Sequence, residues 1–152
     1  MKLDIDGTNV IITLPLKDSG FFGEAGNVTM TGDTNSGYGK GALLSNTIGV
    51  QNTASGSLSL NSNTTGRSNT ASGVNALRLN TGGSSNCATG VTALYSNTIG
   101  NFNTADGVEA LFSNTIGNYN AANGYRALYS NTIGVDNTGT GTYALRSNTT
   151  GN

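Results

Sequence analysis

"NTADGVEALFSNTIG", residues 103–117, holds one leucine and no proline, and most of it is small or polar. Close variants follow: "NAANGYRALYSNTIG" at 120–134 and "NTGTGTYALRSNTTG" at 137–151. Working outward, glycines stand at 39, 56, 73, 90, 107, 124 and 141, and a second glycine set runs from 32 to 151, both in steps of seventeen. Asparagines from 35 to 137 and from 46 to 148 keep the step, as do leucines from 43 to 145. The unit reads G-x-x-N-T-A-x-G-x-x-A-L-x-S-N-T-x, and seven copies span residues 32–150 without insertion or deletion. A fixed period of this kind decides the architecture before any local reading does.

Seventeen residues are too few for a two-helix repeat, and Asn, Thr and Gly disfavour helix. The unit fits one coil of a β-solenoid, with two strands of about four or five residues and two glycine turns. Stacked coils pair as parallel strands about 4.8 Å apart, so seven coils predict a rod of roughly 34 Å. The Asn columns can then hydrogen-bond along the axis. The expected fold is all-β: a seven-coil β-solenoid over residues 32–152, preceded by a short N-terminal β-hairpin segment over 1–31.

Composition agrees and excludes other classes. The 152 residues include 23 glycines, one proline, one cysteine and no histidine, with 10 % charged residues and a net charge of −1. No basic surface for nucleic acid exists, and no apolar run is long enough to span a membrane as a helix. The start of the chain is a poor secretory signal. Cys87 cannot form an internal disulfide, and in the Thr position of its coil it is expected to point inward as a small residue.

The invariant apolar content per coil is small: one Leu, one or two Ala, often an Ile or Val. Ala and Leu recur as neighbours at 42–43, 76–77, 93–94, 110–111, 127–128 and 144–145. Adjacent residues of a strand face opposite ways. One of the pair then faces the coil interior and the other a second dry surface, most simply identical chains about a threefold axis, which predicts a homotrimer. The competing reading is a bend that turns both inward in a monomer.

Residues 1–31 do not fit the repeat. "KLDID", "GTN" and "VIITLPL" read as a hairpin. Phe21 and Phe22 stand among glycines; they serve either as part of a cap over the first coil, which solenoids require, or as a docking anchor for another protein.

No catalytic constellation is found: without histidine, Ser-His and Cys-His pairs are excluded. No cofactor or metal site is expected. Asp4 and Asp6 share a strand face, which reads as solubility at an edge, and "GDTNSG" at 32–37 is a weak calcium-loop pattern. Variable columns are where a repeat protein places function. One column runs Leu44, Asn61, Arg78, Tyr95, Phe112, Tyr129, Arg146, a stripe of three aromatics between two arginines. It reads either as packing between coils or chains, or as a glycan-binding flank. A second column holds Phe102 and Tyr119. Ice binding would need two outward Thr files side by side, and the neighbours of Thr along the chain are Asn and Ala or Ile. Glu109 and Arg126 share one column, so in-register stacking predicts that their side chains meet.

The stretches "NTASGVNALRLNTG", "NTADGVEALFSNTIG" and "NAANGYRALYSNTIG" resemble the Asn-Thr-Ala-x-Gly-x-x-Ala-Leu-x-x-Asn-Thr repeats of phage tail fibres and virion appendages. They are more distantly similar to the heads of trimeric autotransporter adhesins. The resemblance covers residues 32–152 and implies a homotrimeric β-roll or interlocked β-helix on a virion surface, bound to capsid or tail proteins. It implies a structural, non-enzymatic role, as capsid cement or decoration protein or as tail fibre; the alternative is a bacterial adhesin fragment or host-binding protein that recognises surface glycans. The chain departs from long tail fibres in being short and in ending on the repeat.

Overall fold

The computed structural model describes residues 2–5, 9–12, 19–27 and 29–151. Strands β1 (Lys2–Ile5) and β2 (Asn9–Ile12) pair antiparallel, with Lys2 opposite Ile12 and Ile5 opposite Asn9. They are described by backbone pairing alone; Asp6 and Asp18 lie outside the described residues, and so does the carboxylate of Asp4.

A single parallel sheet holds the rest: β3 (Gly20–Phe22), β4 (Ser36–Tyr38), β5 (Thr53–Ser55), β6 (Thr70–Ser72), β7 (Cys87–Thr89), β8 (Thr104–Asp106), β9 (Ala121–Asn123) and β10 (Thr138–Thr140). Each strand pairs with the next in sequence, and no helix occurs among the described residues. From β4 onward the register step is seventeen, as between Thr53 and Thr70. The protein is an all-β parallel solenoid of about seven turns.

Each coil carries one strand of three residues, not two of four or five. The reason lies in the backbone after the strand. In the coil that begins at Asn103, Gly107 takes φ 139°, Glu109 φ 58° and Leu111 φ 50°. Left-handed residues cannot continue a strand, so the chain folds into two successive turns. The Ala110 N–H donates to the Gly107 carbonyl at 3.2 Å, and the Asn114 N–H to the Leu111 carbonyl at 3.1 Å. A third left-handed residue, Tyr119 at φ 57°, turns the chain into the next coil. The same three columns are left-handed in the other repeats, as at Thr34, Leu43, Asn75 and Leu77. Non-glycine residues in this conformation cost roughly 1–2 kcal/mol each. They persist because coil-to-coil bonding continues through the turns: the Leu111 N–H donates to the Ala127 carbonyl at 3.0 Å and the Ser113 N–H to the Tyr129 carbonyl at 3.1 Å.

These bends settle the Ala–Leu question. Ala110 and Leu111 are both 0 % exposed in a single chain, and so are Ala76 with Leu77 and Ala93 with Leu94. Both partners point inward, because the left-handed leucine breaks the alternation on which the opposite-face expectation rested. The pair therefore gives no second dry surface and no longer argues for a trimer.

The interior of one coil is filled by Asn103, Ala105, Ala110, Leu111, Asn114 and Gly117. The two asparagine columns are hydrogen-bonded ladders. Oδ1 of Asn103 accepts the backbone N–H of Asn120 at 3.0 Å and its amide at 3.1 Å. Asn114 donates from Nδ2 to Asn97 Oδ1 at 2.9 Å. The ladders join at the Gly117 carbonyl, which accepts from Asn103 at 2.8 Å and from Asn114 at 3.1 Å. A Cβ on Gly117 would overlap Asn114 Oδ1 and the Gly134 carbonyl, so this glycine column is fixed by close approach rather than by a special φ. Buried amides with their partners supplied cost little, whereas an unmade bond in that interior costs about 1–3 kcal/mol. One inserted residue would put every downstream rung out of place.

The parallel stack begins at Gly20, ahead of the seventeen-residue pattern. β3 pairs with β4 in a register of sixteen, Phe21 opposite Gly37 and Phe22 opposite Tyr38. Phe21 stands at the level of the inward alanines and is only 5 % exposed. Its ring requires Gly37, where five of the following coils carry Ala: a Cβ there would lie 2.7 Å from Phe21 Cδ1. Phe21 plugs the first coil.

Candidate functional site

With the interior committed to stacking, function must lie in the outward columns. Phe21 and Phe22 part company here. Phe21 is buried and cannot anchor a partner directly, while Phe22 faces out and stacks on Tyr38 with ring centroids 4.8 Å apart. Strand alternation divides them: β3 reads exposed, buried, exposed.

The aromatic stripe forms as a continuous pile. Tyr95 stacks on Phe112 at 5.1 Å and 6°, and Phe112 on Tyr129 at 5.2 Å and 8°. The Arg78 guanidinium lies over Tyr95 at 5.9 Å and that of Arg146 over Tyr129 at 6.0 Å. Arg126 also stands over Tyr129, at 5.4 Å. Each ring therefore spends its faces on a neighbouring ring or a guanidinium, and ring edges are left to the solvent. A sugar that packs on an aromatic face finds none free in this stripe. The arrangement supports packing along the rod more than glycan capture, with each pair contributing about 0.5–1.5 kcal/mol.

Glu109 and Arg126 meet through Oε2 and Nε, as in-register coils require. The bond raises the Arg126 guanidinium further above its ordinary value. The two side chains keep about a quarter of their surface exposed, so water and salt screen the pair and it is a minor contributor to stability.

On the strand face two outward files do run side by side. One is Thr53, Thr70, Cys87, Thr104, Ala121 and Thr138; the other begins Ser55, Ser72, Thr89, Asp106. Cys87, Ala121 and the charged Asp106 interrupt them, so no regular threonine array results. Cys87 is exposed rather than inward, because Asn86 and Ala88 take the interior positions on either side. "GDTNSG" is the entry to β4, not a free loop: the amide of Asn35 is spent on the Gly32 and Gly49 carbonyls at 2.9 and 2.8 Å. Among the described residues no three His, Cys, Asp or Glu side chains cluster, and no helix is long and apolar enough to cross a membrane.

Two outward files were not singled out from the sequence. Val74, Val91 and Val108 form one, and Ile99, Ile116 and Ile133 the other; each residue is close to half exposed. Beside the isoleucines, Phe102 stacks on Tyr119 at 5.0 Å and 2°. The seventeen-residue step at these positions was the available signal. Comparison of this chain with protein-family models, with curated proteins and with solved structures gave no match.

Proposed function

We infer that this chain is a structural rod of a phage virion, a short homotrimeric β-solenoid spike at the virion surface that serves as capsid cement or decoration protein, or as tail fibre. The observation that carries the structural reading is the division of labour within each coil. Every inward side chain is occupied in holding the neighbouring coil, through the two asparagine ladders and the Ala and Leu columns. The inward columns change little, with Ser59, Gly37 and Gly139 as the departures from Ala, whereas the outward positions vary widely and form stripes, not a converging pocket of titratable groups. Such a rod presents surfaces and sets distances. The virion placement rests on the likeness of "NTADGVEALFSNTIG" and its companions to the repeats of virion appendages.

Association of chains is supported by the half-exposed valine and isoleucine files, which replace the Ala–Leu pair as the ground for it. The partners at the particle are capsid or tail proteins, and the exposed, stacked pair of Phe22 and Tyr38 at the first coil is the apolar surface offered to them.

Copy number separates the two placements. Gel densitometry of purified particles should give hundreds of copies for cement, whose removal lowers capsid heat stability, and a few copies for a fibre, whose removal abolishes adsorption to host cells. Absence of the chain from purified particles would defeat both. Light scattering of the purified chain should return three times the chain mass of 15.4 kDa.

A further inference from the structure

The coils sort charge by side. Of the four arginines from residue 52 onward, Arg78 and Arg146 close the two ends of the ring pile, and Arg126 stands over Tyr129 at its flank. The fourth, Arg67, lies in the column of Asn101 and Asn118. The three acids of the same coils are spread differently. Asp106 faces out from the strand, Asp136 continues the column of Phe102 and Tyr119, and only Glu109 stands beside the rings. The ring stripe is therefore positive, three arginines against one glutamate, on a chain whose net charge is −1. Its cations also keep bonding capacity. A guanidinium laid on a ring commits its flat face and keeps its N–H edge for other bonds. Arg126 gives Nε to Glu109 and retains its terminal amino groups. Arg78 gives one N–H to the Tyr95 hydroxyl at 3.3 Å. Arg146, exposed and lying over both Tyr129 and Tyr143, has no acidic partner among the described residues, and neither has Arg78.

We propose that this arginine-lined stripe docks the acidic surface of another protein, whose carboxylates pair with Arg78, Arg126 and Arg146. The inference rests on reading the chain as a rod that binds other proteins of a particle, and it names the chemistry of the surface it meets. Every polar group left over at the three guanidiniums is an N–H donor, so the ligand supplies acceptors, and a carboxylate matches the guanidinium fork bidentately. Ring stacking already holds the guanidiniums in place, so little side-chain freedom is lost on pairing. Arg78 and Arg146 stand four coils apart, roughly 19 Å, the reach of about six extended residues. Other anionic partners fit less well. An acidic saccharide needs a ring face to pack on, and the faces are taken. A nucleic acid is drawn by a broad basic field, and a chain with a pI near 5.0 has none. A second copy offers its acids singly along the rod, as Asp33, Asp106 and Asp136, against three arginines on one stripe.

The test uses the full chain and a labelled decaglutamate peptide, with decaserine as its uncharged counterpart, read by fluorescence anisotropy at low salt. Wild type should bind decaglutamate, ignore decaserine, and release the peptide as added salt shortens the Debye length below about 10 Å. Arg146→Gln should raise the dissociation constant at least about 5-fold, and Arg78→Gln with Arg146→Gln at least about 20-fold. Arg67→Gln removes the same charge from another side and should stay within about twofold of wild type. A wild type that fails to bind, or an Arg67→Gln variant weakened as much as Arg146→Gln, overturns the stripe as the site. A sulfated polysaccharide that binds more tightly than the peptide at equal charge concentration overturns the protein carboxylate as its ligand. Circular dichroism reports the fold, and if the double variant loses it, Glu109→Gln decides. That change breaks only a surface pair, frees Arg126, and should tighten peptide binding about twofold or more. Unchanged or weaker binding by Glu109→Gln refutes the proposal. Copy number on purified particles tests the virion reading separately, so a failed peptide titration leaves that reading standing.

Discussion

Replacing Asn114 by aspartate keeps shape and volume and removes only an amide. Asn114 is fully buried. Its Nδ2 donates to Asn97 Oδ1 at 2.9 Å and to the Gly117 carbonyl at 3.1 Å, and its Oδ1 accepts from Asn131 at 3.1 Å. In Asn114→Asp the carboxylate points acceptors at acceptors. Asn97 Oδ1 loses the donor that satisfied it, at about 1–3 kcal/mol, whereas the Gly117 carbonyl keeps Asn103 at 2.8 Å. The buried charge adds more, of which the Asn131 amide offsets a part. A carboxyl pKa raised by roughly two units from its ordinary ~3.9 corresponds to about 3 kcal/mol. The sum, on the order of 4–5 kcal/mol, should lower the melting temperature by about 10 °C or more at pH 7. The sign of the pH dependence follows from the raised pKa. Between the unfolded and folded pKa the native state binds the extra proton, so the deficit is full above the folded pKa and shrinks as pH falls toward 4. Thermal melts of wild type and variant at pH 7 and pH 4 test this, with Asn118→Asp as control, since the amide of Asn118 makes its bond to the Ile116 carbonyl at a solvent-exposed position. A variant melting within 2 °C of wild type at pH 7 would refute the ladder as a source of stability, and a gap that fails to narrow on acidification would refute the buried charge as its cause.

Three further outcomes follow from single columns. Gly117→Ala should prevent folding, because its Cβ would overlap Asn114 Oδ1 and the Gly134 carbonyl, whereas Gly82→Ala, whose nearest atom is Thr65 Oγ1 at 3.4 Å, should fold normally; equal melting of the two would contradict the close approach. Thr92 is β-branched and left-handed at φ 55°, so Thr92→Gly should raise stability by about 0.5–1 kcal/mol once the greater freedom of the unfolded glycine is deducted, and a destabilised variant in urea titration would show that no strain is stored there. Leu111→Asp places a charge in the fully buried leucine column and should abolish the cooperative melt, while a normal melt would put that column on the surface.

Periodicity was legible because each column has one physical task and repeats it: Asn103 and Asn114 must bond to the coil on either side, and Gly117 must admit the neighbouring backbone. The meeting of Glu109 and Arg126 followed from the period alone. What lay out of reach was conformation. Leucine is an unusual left-handed residue, and nothing in its identity announces φ 50° at Leu111. Reading that segment as a strand misplaced the Ala–Leu pair and with it the first argument for a trimer. Cys87 went wrong for a smaller reason: its phase between the inward Asn86 and Ala88 was readable, but its size was weighed above its position. For the stripe, the column was visible and the direction of the rings was not. Whether faces or edges meet solvent depends on rotamers that the stack imposes, and that detail is what separates packing from sugar binding.

The same logic makes a demanding forecast about length. Because each coil bonds only to the coils beside it, one whole unit should be removable while a single residue should not. Excising residues 104–120 joins Asn103 to Ala121, and every column closes over the gap: Asn97 meets Asn131, Leu94 meets Leu128, and Tyr95 can stack on Tyr129. The specific losses all lie on the surface: the Glu109–Arg126 pair, the stack of Phe102 on Tyr119, and Phe112 from the aromatic stripe. One strand of the eight in the parallel sheet disappears, so the urea m-value, which scales with the surface exposed on unfolding, should fall by roughly an eighth with cooperative unfolding preserved. Deleting Ser113 alone removes far less material, yet it pulls Asn114 off its ladder, leaves the acceptor of Asn97 unmet, and draws Gly117 away from the junction of the two asparagine columns. That variant should lose its cooperative transition or loop out the damaged coil with a much larger drop in midpoint. Equal tolerance of both deletions would mean that the columns do not carry the stability, and a rod that fails without residues 104–120 would mean that the coils are not interchangeable units.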